Sequence, residues 1–323
     1  MNQRLLGRTG RQVSEIGYGA WGIGGTFWIG ADDTESLTAL HRALDLGMNL
    51  IDTALGYGYG HSEQLVGQVV RERKDDIFVA TKVPPKNRIW PAARGVPVSE
   101  CFPGAHIVSC CEKSLRNLGM EQVDLLQLHT WQDEYLDQDG WRDVLLGLKS
   151  SGKVRFLGIS VNDHDPSSAL RAVASGLFDC VQVIYNIFDQ SPETELFPLC
   201  LEHRVGVIAR VPLDEGGLTG TITPESTFPE GDFRNEYFRG ERKRQVHERA
   251  GALKELLGEE AATLPELALR FCLSHEAVST VIPGMRRIAT VEANAAVSDG
   301  RLLSAGLREK LGAHAWPRNF YQA

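Results

Sequence analysis

The sequence predicts an α/β protein folded as a (β/α)8 TIM barrel, with an N-terminal β-hairpin and long loops at one face. Eight apolar runs of strand length alternate with amphipathic helical stretches along nearly the whole chain. The runs are almost continuous in apolar residues, which is typical of parallel strands buried on both faces. No linker rich in Pro, Ser or Gly divides the chain, so we expect residues 1–323 to form one domain closed by right-handed crossovers.

The elements are expected in a regular order. The segments RLLG and QVSEIG flank a Thr-Gly turn and predict a hairpin over residues 1–13. Amphipathic helices fill the intervals between barrel strands; the first has its N-cap among residues 32–34 and ends at Gly47. The eight barrel strands are expected at 14–19, 49–52, 77–81, 124–129, 154–160, 180–185, 206–211 and 278–283.

Three connections are longer than the others and are expected at the C-terminal face of the barrel. Residues 83–105 are rich in Pro, residues 212–240 are rich in Gly, Pro and Thr, and the tail 312–323 carries three aromatic residues. Loops of this length on a barrel are usually functional. The alternative is that they are mobile surface excursions.

The composition bounds the classes of protein to consider. The net charge of −8, and two Glu within the most basic stretch, 239–249, favour a solvated helix face over a nucleic-acid site. No run approaches 18 apolar residues and the Met1 region lacks a signal-peptide core, so we expect no membrane span and a cytoplasmic protein. The cysteines form no CxxC motif and are expected to be reduced core thiols: Cys101, Cys110, Cys111, Cys180, Cys200 and Cys272.

Four ionisable residues lie at or just past the ends of three predicted strands: Asp52, Tyr57, Lys82 and His129. All strands of a parallel barrel open onto one face at their C-termini, so these side chains are expected to converge. Alone, each has a simpler explanation: the Asp caps a turn or helix, the Lys lies at a solvated edge, and the His is a core or surface residue. Together they predict a site for moving one proton to a carbonyl oxygen.

Reduction of a carbonyl requires a hydride at carbon and a proton at oxygen. A free tyrosine has a pKa of about 10, and a nearby ammonium lowers it. Lys82 could provide that charge to Tyr57, and a buried lysine needs a carboxylate such as Asp52. His129 could donate to the substrate oxygen. A metal-dependent hydrolase is the less favoured interpretation, because the histidines lack HxH or HExxH spacing and no metal site is expected.

The expected cofactor follows from where phosphates could bind. No GxGxxG follows a strand and opens a helix, which argues against a doubly wound dinucleotide domain. In a barrel, phosphates lie near the loops after strands seven and eight. Arg286 follows strand eight at a helix start and suits a 2′-phosphate, so NADP(H) is favoured; NAD(H) stays possible if Arg286 and Arg287 are merely an exposed pair.

Aromatic residues are expected to line the substrate pocket. Phe27, Trp28, Trp90 and Trp131 fall on loops after strands one, three and four. Flat apolar walls accept the faces of sugars and aryl rings alike. The expected partners are therefore small carbonyl compounds and alcohols, of sugar, polyol, aryl or aliphatic type.

The ordered motifs of the chain resemble those of the aldo-keto reductase superfamily. DTALGYGYGHSEQLVG, FVATK and LLQLH carry the four ionisable residues, and GIS, VQVIYN, VPLDEGGLTG and VIPGMRRIATVEAN continue the likeness into the C-terminal third. The branch it resembles most is that of bacterial, sugar-related reductases, which also includes potassium-channel β subunits. The resemblance implies an NAD(P)H-dependent oxidoreductase that interconverts an aldehyde or ketone with its alcohol. The alternative is a cofactor-binding regulatory module with little turnover.

The resemblance also implies roles for individual residues. Tyr57 would be the proton donor in reduction, with its pKa lowered by Lys82. Asp52 would be the counter-ion of that lysine, and His129 would orient the carbonyl. The residues implied in cofactor binding are Gly19, Ala20, Trp21, Ser160, Asn162, Gln182, Leu213, Gly217, Leu218, Gly284, Arg286 and Asn294.

Two positions depart from the family pattern. The common Ser-Asn pair after strand five is stretched to Ser160-Val161-Asn162. Arg210 stands where the family usually has an aromatic residue that stacks on nicotinamide. Its guanidinium could stack in the same way or meet an anionic substrate, and Tyr185 is the other candidate for stacking.

Overall fold

The computed structural model describes residues 1–321 and confirms the predicted barrel, with eight parallel strands in one curled sheet whose spatial order follows the chain. The last two residues of the predicted tail, 322–323, lie outside the described residues. An antiparallel hairpin, β1 with β2, precedes the barrel strands β3 to β10. The strands are β1 Gln3–Leu5, β2 Gln12–Ser14, β3 Tyr18–Gly19, β4 Leu50–Asp52, β5 Phe78–Val83, β6 Val123–Leu128, β7 Val154–Ser160, β8 Cys180–Ile184, β9 Gly206–Arg210 and β10 Val278–Val281.

Two isolated bridges close the barrel between its first and last strands. Ile16 pairs with Val281, and Gly19 pairs with Gly284, both in parallel. A Cβ atom at Gly19 would lie 2.7 Å from the carbonyl oxygen of Ile282, so a side chain at this position would push the two strands apart. Gly19 is therefore needed for closure of the sheet. We call this junction of β3 and β10 the seam.

The barrel interior is apolar at its base and polar at its mouth. A cluster of inward-facing side chains fills the base, and Leu6 and Val13 of the hairpin close it from below. Side chains alternate between the two faces of a strand. The inward positions that follow these apolar residues along β4, β5, β6, β8 and β9 are polar. These inward polar residues are Asp52, Lys82, Gln127, Gln182 and Arg210.

Helices pack around the sheet, and the first confirms its expected start. Asp32 caps α1 by accepting a hydrogen bond from the backbone nitrogen of Glu35. The helices are α1 Asp33–Asp45, α2 His61–Glu72, α3 Val98–Cys101, α4 Gly104–Leu118, α5 Arg142–Ser150, α6 Leu170–Ala174, α7 Leu196–His203, α8 Arg234–Tyr237, α9 Arg242–Lys254, α10 Leu264–Leu273, α11 Ile288–Ala296 and α12 Ala305–Gly312. All six cysteines are free and buried, as the core-thiol interpretation expects.

The long connections contain short ordered elements. Residues 83–105 include α3, and residues 212–240 include α8 and a 3-10 turn at Asp214–Thr219. The basic stretch 239–249 lies largely on α9. Its Arg244 is exposed and pairs with neighbouring glutamates, as expected, but Arg242 is buried against Asp214, so the whole stretch is not a solvated face.

Residues 1–321 contain no helix long and apolar enough to cross a bilayer. The same part of the chain contains no group of three His, Cys, Asp or Glu side chains arranged to bind a metal ion.

Candidate active site

The barrel mouth brings together the predicted tyrosine, lysine and aspartate. Lys82 is fully buried at the end of β5, and its ammonium lies 2.5 Å from Asp52 Oδ1 at the end of β4. The same ammonium donates to the Thr53 carbonyl at 2.9 Å and to the Tyr57 hydroxyl at 3.2 Å. These three partners satisfy all three ammonium hydrogens, which is the condition for keeping a lysine charged inside a barrel.

The second oxygen of Asp52 accepts hydrogen bonds from two buried amides. Gln182 Nε2 donates at 2.7 Å and Gln127 Nε2 at 3.3 Å. Gln182, which was expected to contact nicotinamide, thus donates one of its amide hydrogens to Asp52. Gln127 was not among the predicted site residues. Gln127 lies two residues before His129 and therefore faces the barrel interior on the same side of β6. That alternation is the sequence signal that could have identified it.

Tyr57 lies on a 3-10 turn just past β4, and close backbone packing fixes that turn. A Cβ atom at Gly24 would lie 2.8 Å from the Tyr57 carbonyl carbon, so the two loops can touch only through glycine. The Tyr57 ring is 5.6 Å from the His129 ring and 6.1 Å from Trp21, between centroids. The Trp90 ring lies edge-on to His129 at 4.5 Å. These side chains line one crevice.

Burial and charge act against each other in this crevice. Burial raises the pKa of the Tyr57 phenol above its ordinary value, and the Lys82 ammonium only partly opposes that shift. Burial disfavours the charged form of Lys82, but Asp52 and Tyr57 outweigh it and raise its pKa. Burial, aided by Lys82 and Arg210, holds the pKa of His129 well below its ordinary value. At neutral pH the phenol is protonated and the imidazole is neutral. The expected lowering by Lys82 is present but smaller than the effect of burial.

A second polar group borders the crevice; we call Asp163, Trp90, Arg210 and Tyr321 the Asp163 cluster. Arg210 Nη2 donates to Asp163 Oδ1, and to the Val161 carbonyl at 2.9 Å. Asp163 Oδ2 accepts from the Trp90 indole at 3.3 Å and from the Tyr321 hydroxyl at 2.6 Å. One carboxylate therefore connects the end of β9, the 83–105 loop and the C-terminal tail. Asp163 and Tyr321 were not predicted.

Asn162 does not have a free side chain. Its oxygen accepts from the Ala92 backbone nitrogen at 3.0 Å, and its nitrogen donates to the Ala92 carbonyl at 3.1 Å. Gln132 also donates to that carbonyl, at 2.8 Å. These bonds fix the 83–105 loop beside Trp90. Asn162 could reach a nicotinamide carboxamide only by releasing this loop. Ser160, two residues earlier, is buried at the end of β7.

Two predicted contacts are wrong. Trp131, expected in the substrate pocket, is fully buried and packs against Tyr135, Trp141 and Phe178 in the helix layer. Tyr185, offered as a nicotinamide-stacking residue, points away from the barrel interior. Its ring packs against Phe197 and Phe271, and its hydroxyl donates to Glu193 at 2.5 Å.

Two further predicted cofactor contacts have no accessible surface. Ala20 and Leu218 are both fully buried, so neither side chain can touch a bound molecule in this conformation. The Ala20 carbonyl accepts from the Ser62 hydroxyl instead. Leu213, by contrast, is partly exposed just before the 3-10 turn after β9, and Gly217 lies buried within that turn. The turn itself is anchored by Asp214, which pairs with Arg242.

The other side of the mouth, at β10 and α11, has groups that fit a nucleotide. Asn294 is 3% exposed and its Nδ2 has no hydrogen-bond partner within residues 1–321. Gly284 is exposed with open space around its Cα. Arg286 makes no ion pair among the described residues, and its pKa is lowered by burial and by the nearby guanidinium groups of Arg234 and Arg287. An unpaired donor and a concentration of positive charge suit an adenosine end that carries phosphate.

The 212–240 connection, which we call the strap, crosses the side of the mouth formed by β10 and α11. The Phe233 backbone nitrogen donates to the Phe27 carbonyl at 2.8 Å, and the Phe233 ring lies 5.3 Å from Trp21. The Arg234 guanidinium lies 4.4 Å from the Trp28 ring centroid, and Arg286 donates to the Ile29 carbonyl at 3.2 Å. The Trp28 ring therefore lies against the Arg234 guanidinium, with the Arg286 guanidinium 5.9 Å from its centroid.

Fold and site together define an oxidoreductase built on a parallel α/β barrel. The sequence profile of the aldo/keto reductase family matches residues 15–306. The chain belongs to the aldo/keto reductase family. It is 31% identical over 301 residues to the aldo-keto reductase YhdN of Bacillus subtilis, and the alignment covers 91% of this chain and 87% of that protein.

Other relatives span several activities within the family. The NADH-specific methylglyoxal reductase of Escherichia coli is 30% identical over 319 residues, covering 94% of this chain and 96% of that protein. A probable voltage-gated potassium channel subunit beta of Arabidopsis thaliana is 29% identical over 307 residues, covering 91% and 90%. These relatives confirm the branch that the motifs indicated.

Solved structures show the same likeness. The glycerol dehydrogenase from Gluconobacter oxydans superposes with a TM-score of 0.78 at 29% identity, covering 96% of this chain and 94% of that one. An aldo-keto reductase from Klebsiella pneumoniae in complex with NADPH superposes with a TM-score of 0.71 at 25% identity, covering 99% and 97%.

Proposed function

We propose that this protein interconverts an aldehyde or ketone with its alcohol, using a nicotinamide cofactor, and that Tyr57 is the proton donor in reduction. One observation carries the proposal. Within residues 1–321 the only hydrogen-bond partner of the Tyr57 hydroxyl is the Lys82 ammonium, which is itself a donor. The phenol proton is therefore free for transfer to a substrate. The Lys82–Asp52 pair holds positive charge beside the oxygen that becomes a phenolate.

The residues divide the work of reduction as follows. A bound nicotinamide supplies the hydride that forms the new C–H bond. Tyr57 donates its hydroxyl proton to the carbonyl oxygen as the alcohol forms, and Lys82 stabilises the resulting phenolate. His129 is neutral, and because its Nδ1 is buried without a partner, Nε2 is the ring nitrogen left to face the crevice, where its N–H form would orient the carbonyl. In alcohol oxidation the Tyr57 phenolate takes the proton back.

The cofactor would lie across the mouth from Tyr57 to α11. In this proposal Ser160 and Gln182 would bind the nicotinamide end, and Trp21, Leu213 and Gly217 would lie along the centre. Gly284, Arg286 and Asn294 would hold the adenosine end. The adenosine end has the strongest support, because the buried amide nitrogen of Asn294 has no hydrogen-bond acceptor within residues 1–321 and could donate to the cofactor.

We propose NADP(H) as the preferred cofactor. The observation in favour is that Arg286 has no carboxylate partner among the described residues and lies close to two further guanidinium groups. A 2′-phosphate would balance this charge, whereas a 2′-hydroxyl would not. The relatives include both an enzyme named NADH-specific and a structure with NADPH, so NAD(H) is the outcome to test against.

The proposed substrates are small carbonyl compounds. Trp90 is 36% exposed beside His129 and Trp21 lies beside Tyr57, which gives the crevice two flat apolar walls. Sugar, polyol, aryl and aliphatic carbonyls all fit such walls. Relatives named methylglyoxal reductase and glycerol dehydrogenase act on compounds of three carbons, which supports the small end of this range.

The test is cofactor-dependent turnover on a mixed library of sugars, aldehydes and ketones, with NADPH and NADH side by side. We expect reduction of several small aldehydes, faster with NADPH. The alternative function, a regulatory module as in the channel-subunit relatives, predicts tight cofactor binding with no substrate turned over. That result would reject the enzymatic proposal.

A further inference from the structure

Arg210 presents hydrogen-bond donors to the crevice that no protein group uses. It follows Ile208 at the inward positions of β9, and its side chain is 16% exposed at the mouth. Only Nη2 is engaged, by the Val161 carbonyl and Asp163. Nε is buried without a partner, and Nη1 makes no hydrogen bond within residues 1–321. Donors without partners on a mostly buried guanidinium are uncommon and costly, so a ligand that accepts from Nη1 is favoured.

The Asp163 cluster fixes the guanidinium in place. Asp163 accepts from Arg210 on one oxygen and from Trp90 and Tyr321 on the other. Burial favours the neutral form of Asp163, but Arg210 and the Tyr321 hydroxyl outweigh it and hold its pKa below the ordinary value. The carboxylate is thus ionised and immobile. Arg210 cannot turn to satisfy its other donors without breaking this set of bonds.

Arg242 provides an internal comparison, because it too has an unpaired Nε and Nη1. Its guanidinium is 3% exposed and packs between the rings of Tyr237 and Trp316, at 4.7 Å from each centroid. Aromatic faces therefore enclose Arg242 and leave no room for a ligand. No aromatic ring within residues 1–321 covers Arg210 in that way.

The charged groups around Arg210 balance in pairs, because Asp163 is the counter-ion of Arg210 and Asp52 is that of Lys82. Lys82 and Asp52 balance each other, and His129 is neutral. Glu215, on the turn after β9, is a further carboxyl within the electrostatic influence of Arg210; burial, aided by Asp214, raises its pKa to about 8. At pH 7 Glu215 is therefore largely protonated. The donors that Arg210 leaves free therefore face a crevice without net negative charge.

We propose that Arg210 forms an anion-binding subsite beside Tyr57, so that the preferred substrates are carbonyl compounds bearing a carboxylate. The inference rests on the proposed function and names its substrate class. Stacking of the guanidinium on nicotinamide would use only the flat face of Arg210 and leave its in-plane donors unpaired. An anionic oxygen would accept from Nη1, the free nitrogen that is not buried, and a hydrogen bond between two charged groups is the stronger kind.

The first experiment compares acids with their methyl esters on the native protein. The pairs are glyoxylate with methyl glyoxylate, and 4-formylbenzoate with its methyl ester, assayed at pH 7 with NADPH. We expect kcat/KM to be about 10- to 100-fold higher for the acid in at least one pair, mainly through KM. Glyceraldehyde 3-phosphate against glyceraldehyde shows whether phosphate is taken as well. Equal rates for acid and ester in both pairs would overturn the proposal.

The second experiment removes the subsite without leaving a buried unpaired carboxylate. The double variant Arg210→Met with Asp163→Asn should bring the acid-to-ester ratio close to one, whereas Arg210→Lys should keep part of it. An equal loss for acid and ester, or a weaker cofactor Kd with the ratio preserved, would instead indicate stacking on nicotinamide.

A binding measurement separates this proposal from the proposed function. Benzoate, titrated calorimetrically into native protein saturated with NADP+, should bind at least tenfold more tightly than to the double variant. If no carbonyl is turned over but benzoate still binds through Arg210, the enzymatic proposal fails and the subsite stands. If esters are reduced and Tyr57→Phe abolishes that reduction, but benzoate binds both proteins alike, the subsite alone fails.

Discussion

Two buried triplets in the protein each combine a tyrosine, an aspartate and a cation, but the hydrogen bonds of the two tyrosines differ. The active-site triplet is Tyr57, Asp52 and Lys82, and the strap triplet is Tyr237, Asp214 and Arg242. In each, a cation pairs with an aspartate, donates to a tyrosine hydroxyl at 3.2 Å, and lies within 5 Å of that tyrosine ring. The difference is the position of the phenol proton.

In the strap triplet the proton is engaged. The Tyr237 hydroxyl donates to Asp214 at 2.5 Å, and burial together with Asp214 raises the pKa of Tyr237 well above its ordinary value. In the active-site triplet, Asp52 is occupied by Lys82 and two amides instead, and the Tyr57 hydroxyl receives a bond without giving one. A tyrosine beside a cation thus has a structural role when its hydroxyl donates to the aspartate. In the proposed function it can donate its proton to a substrate when other groups already donate to the aspartate.

The largest expected difference between the triplets is in the effect of removing the hydroxyl. Tyr57→Phe should lower kcat by about 10²- to 10⁴-fold with cofactor Kd nearly intact, because only the proton donor is lost. Tyr237→Phe is the matched control. It should leave the chemical step in place and lower the free energy of unfolding by about 1–3 kcal/mol, since Asp214 loses a donor. Steady-state rates and denaturant titrations measure both; a Tyr57→Phe protein with native kcat would refute the assigned role.

Removal of the cation should affect stability in both triplets and turnover in one. Lys82→Met and Arg242→Met each leave a buried aspartate without its ion-pair partner, at a cost of about 3–5 kcal/mol in unfolding free energy. Only Lys82→Met should also reduce kcat as severely as Tyr57→Phe does, because the phenolate loses its stabilising charge. Variants that still fold are compared by single-turnover reduction. Comparable kcat in the two variants would mean that the triplets do not differ as argued.

A third cation, Arg286, sharpens the comparison because it has no carboxylate partner within residues 1–321. Arg286→Ala should weaken NADPH binding by about 10- to 100-fold, through loss of a charged hydrogen bond, and leave NADH binding much less changed. Fluorescence titration with each nucleotide provides the measurement. Equal weakening of both would remove the 2′-phosphate argument.

The smallest expected effect is the response of reduction to pH. The pKa of His129 is held low, so its neutral form persists on acidification to below the ordinary range of histidine. The pKa of Tyr57 is raised, so the acid form persists until the pH passes above about 10. With saturating cofactor, kcat for reduction should be flat from about pH 6 to 9 and fall in alkaline solution. An inflection near pH 6.5 would show that His129 titrates.

The sequence allowed the barrel and the active-site triplet to be predicted because both depend on strands. A residue at the C-terminal end of a parallel strand has one possible location, the mouth. Strand alternation would also have corrected one error: Gln182 faces inward, so Tyr185, three residues later, faces the helices. The same rule would have placed Gln127 at the site.

Loops gave no such constraint. Trp131 follows β6 on a loop and was assigned to the pocket, but it packs against Trp141 and Phe178, which come from separate parts of the chain. Asp163 gains its position only because Trp90, from a loop about 70 residues earlier, and Tyr321, from the tail, meet it there. Contacts of that range follow from no local pattern.

The seam between β3 and β10 has a consequence for how the barrel comes apart. Within residues 1–321 two bridges join its edges, with Trp21 on one side of it and Gly284 and Arg286 on the other. A dinucleotide that contacts all three residues would tie the two edges together. Saturation with cofactor should then raise the melting temperature, with a stabilisation that grows as the logarithm of the ratio of cofactor concentration to Kd, and should slow hydrogen exchange at both edges of the junction together.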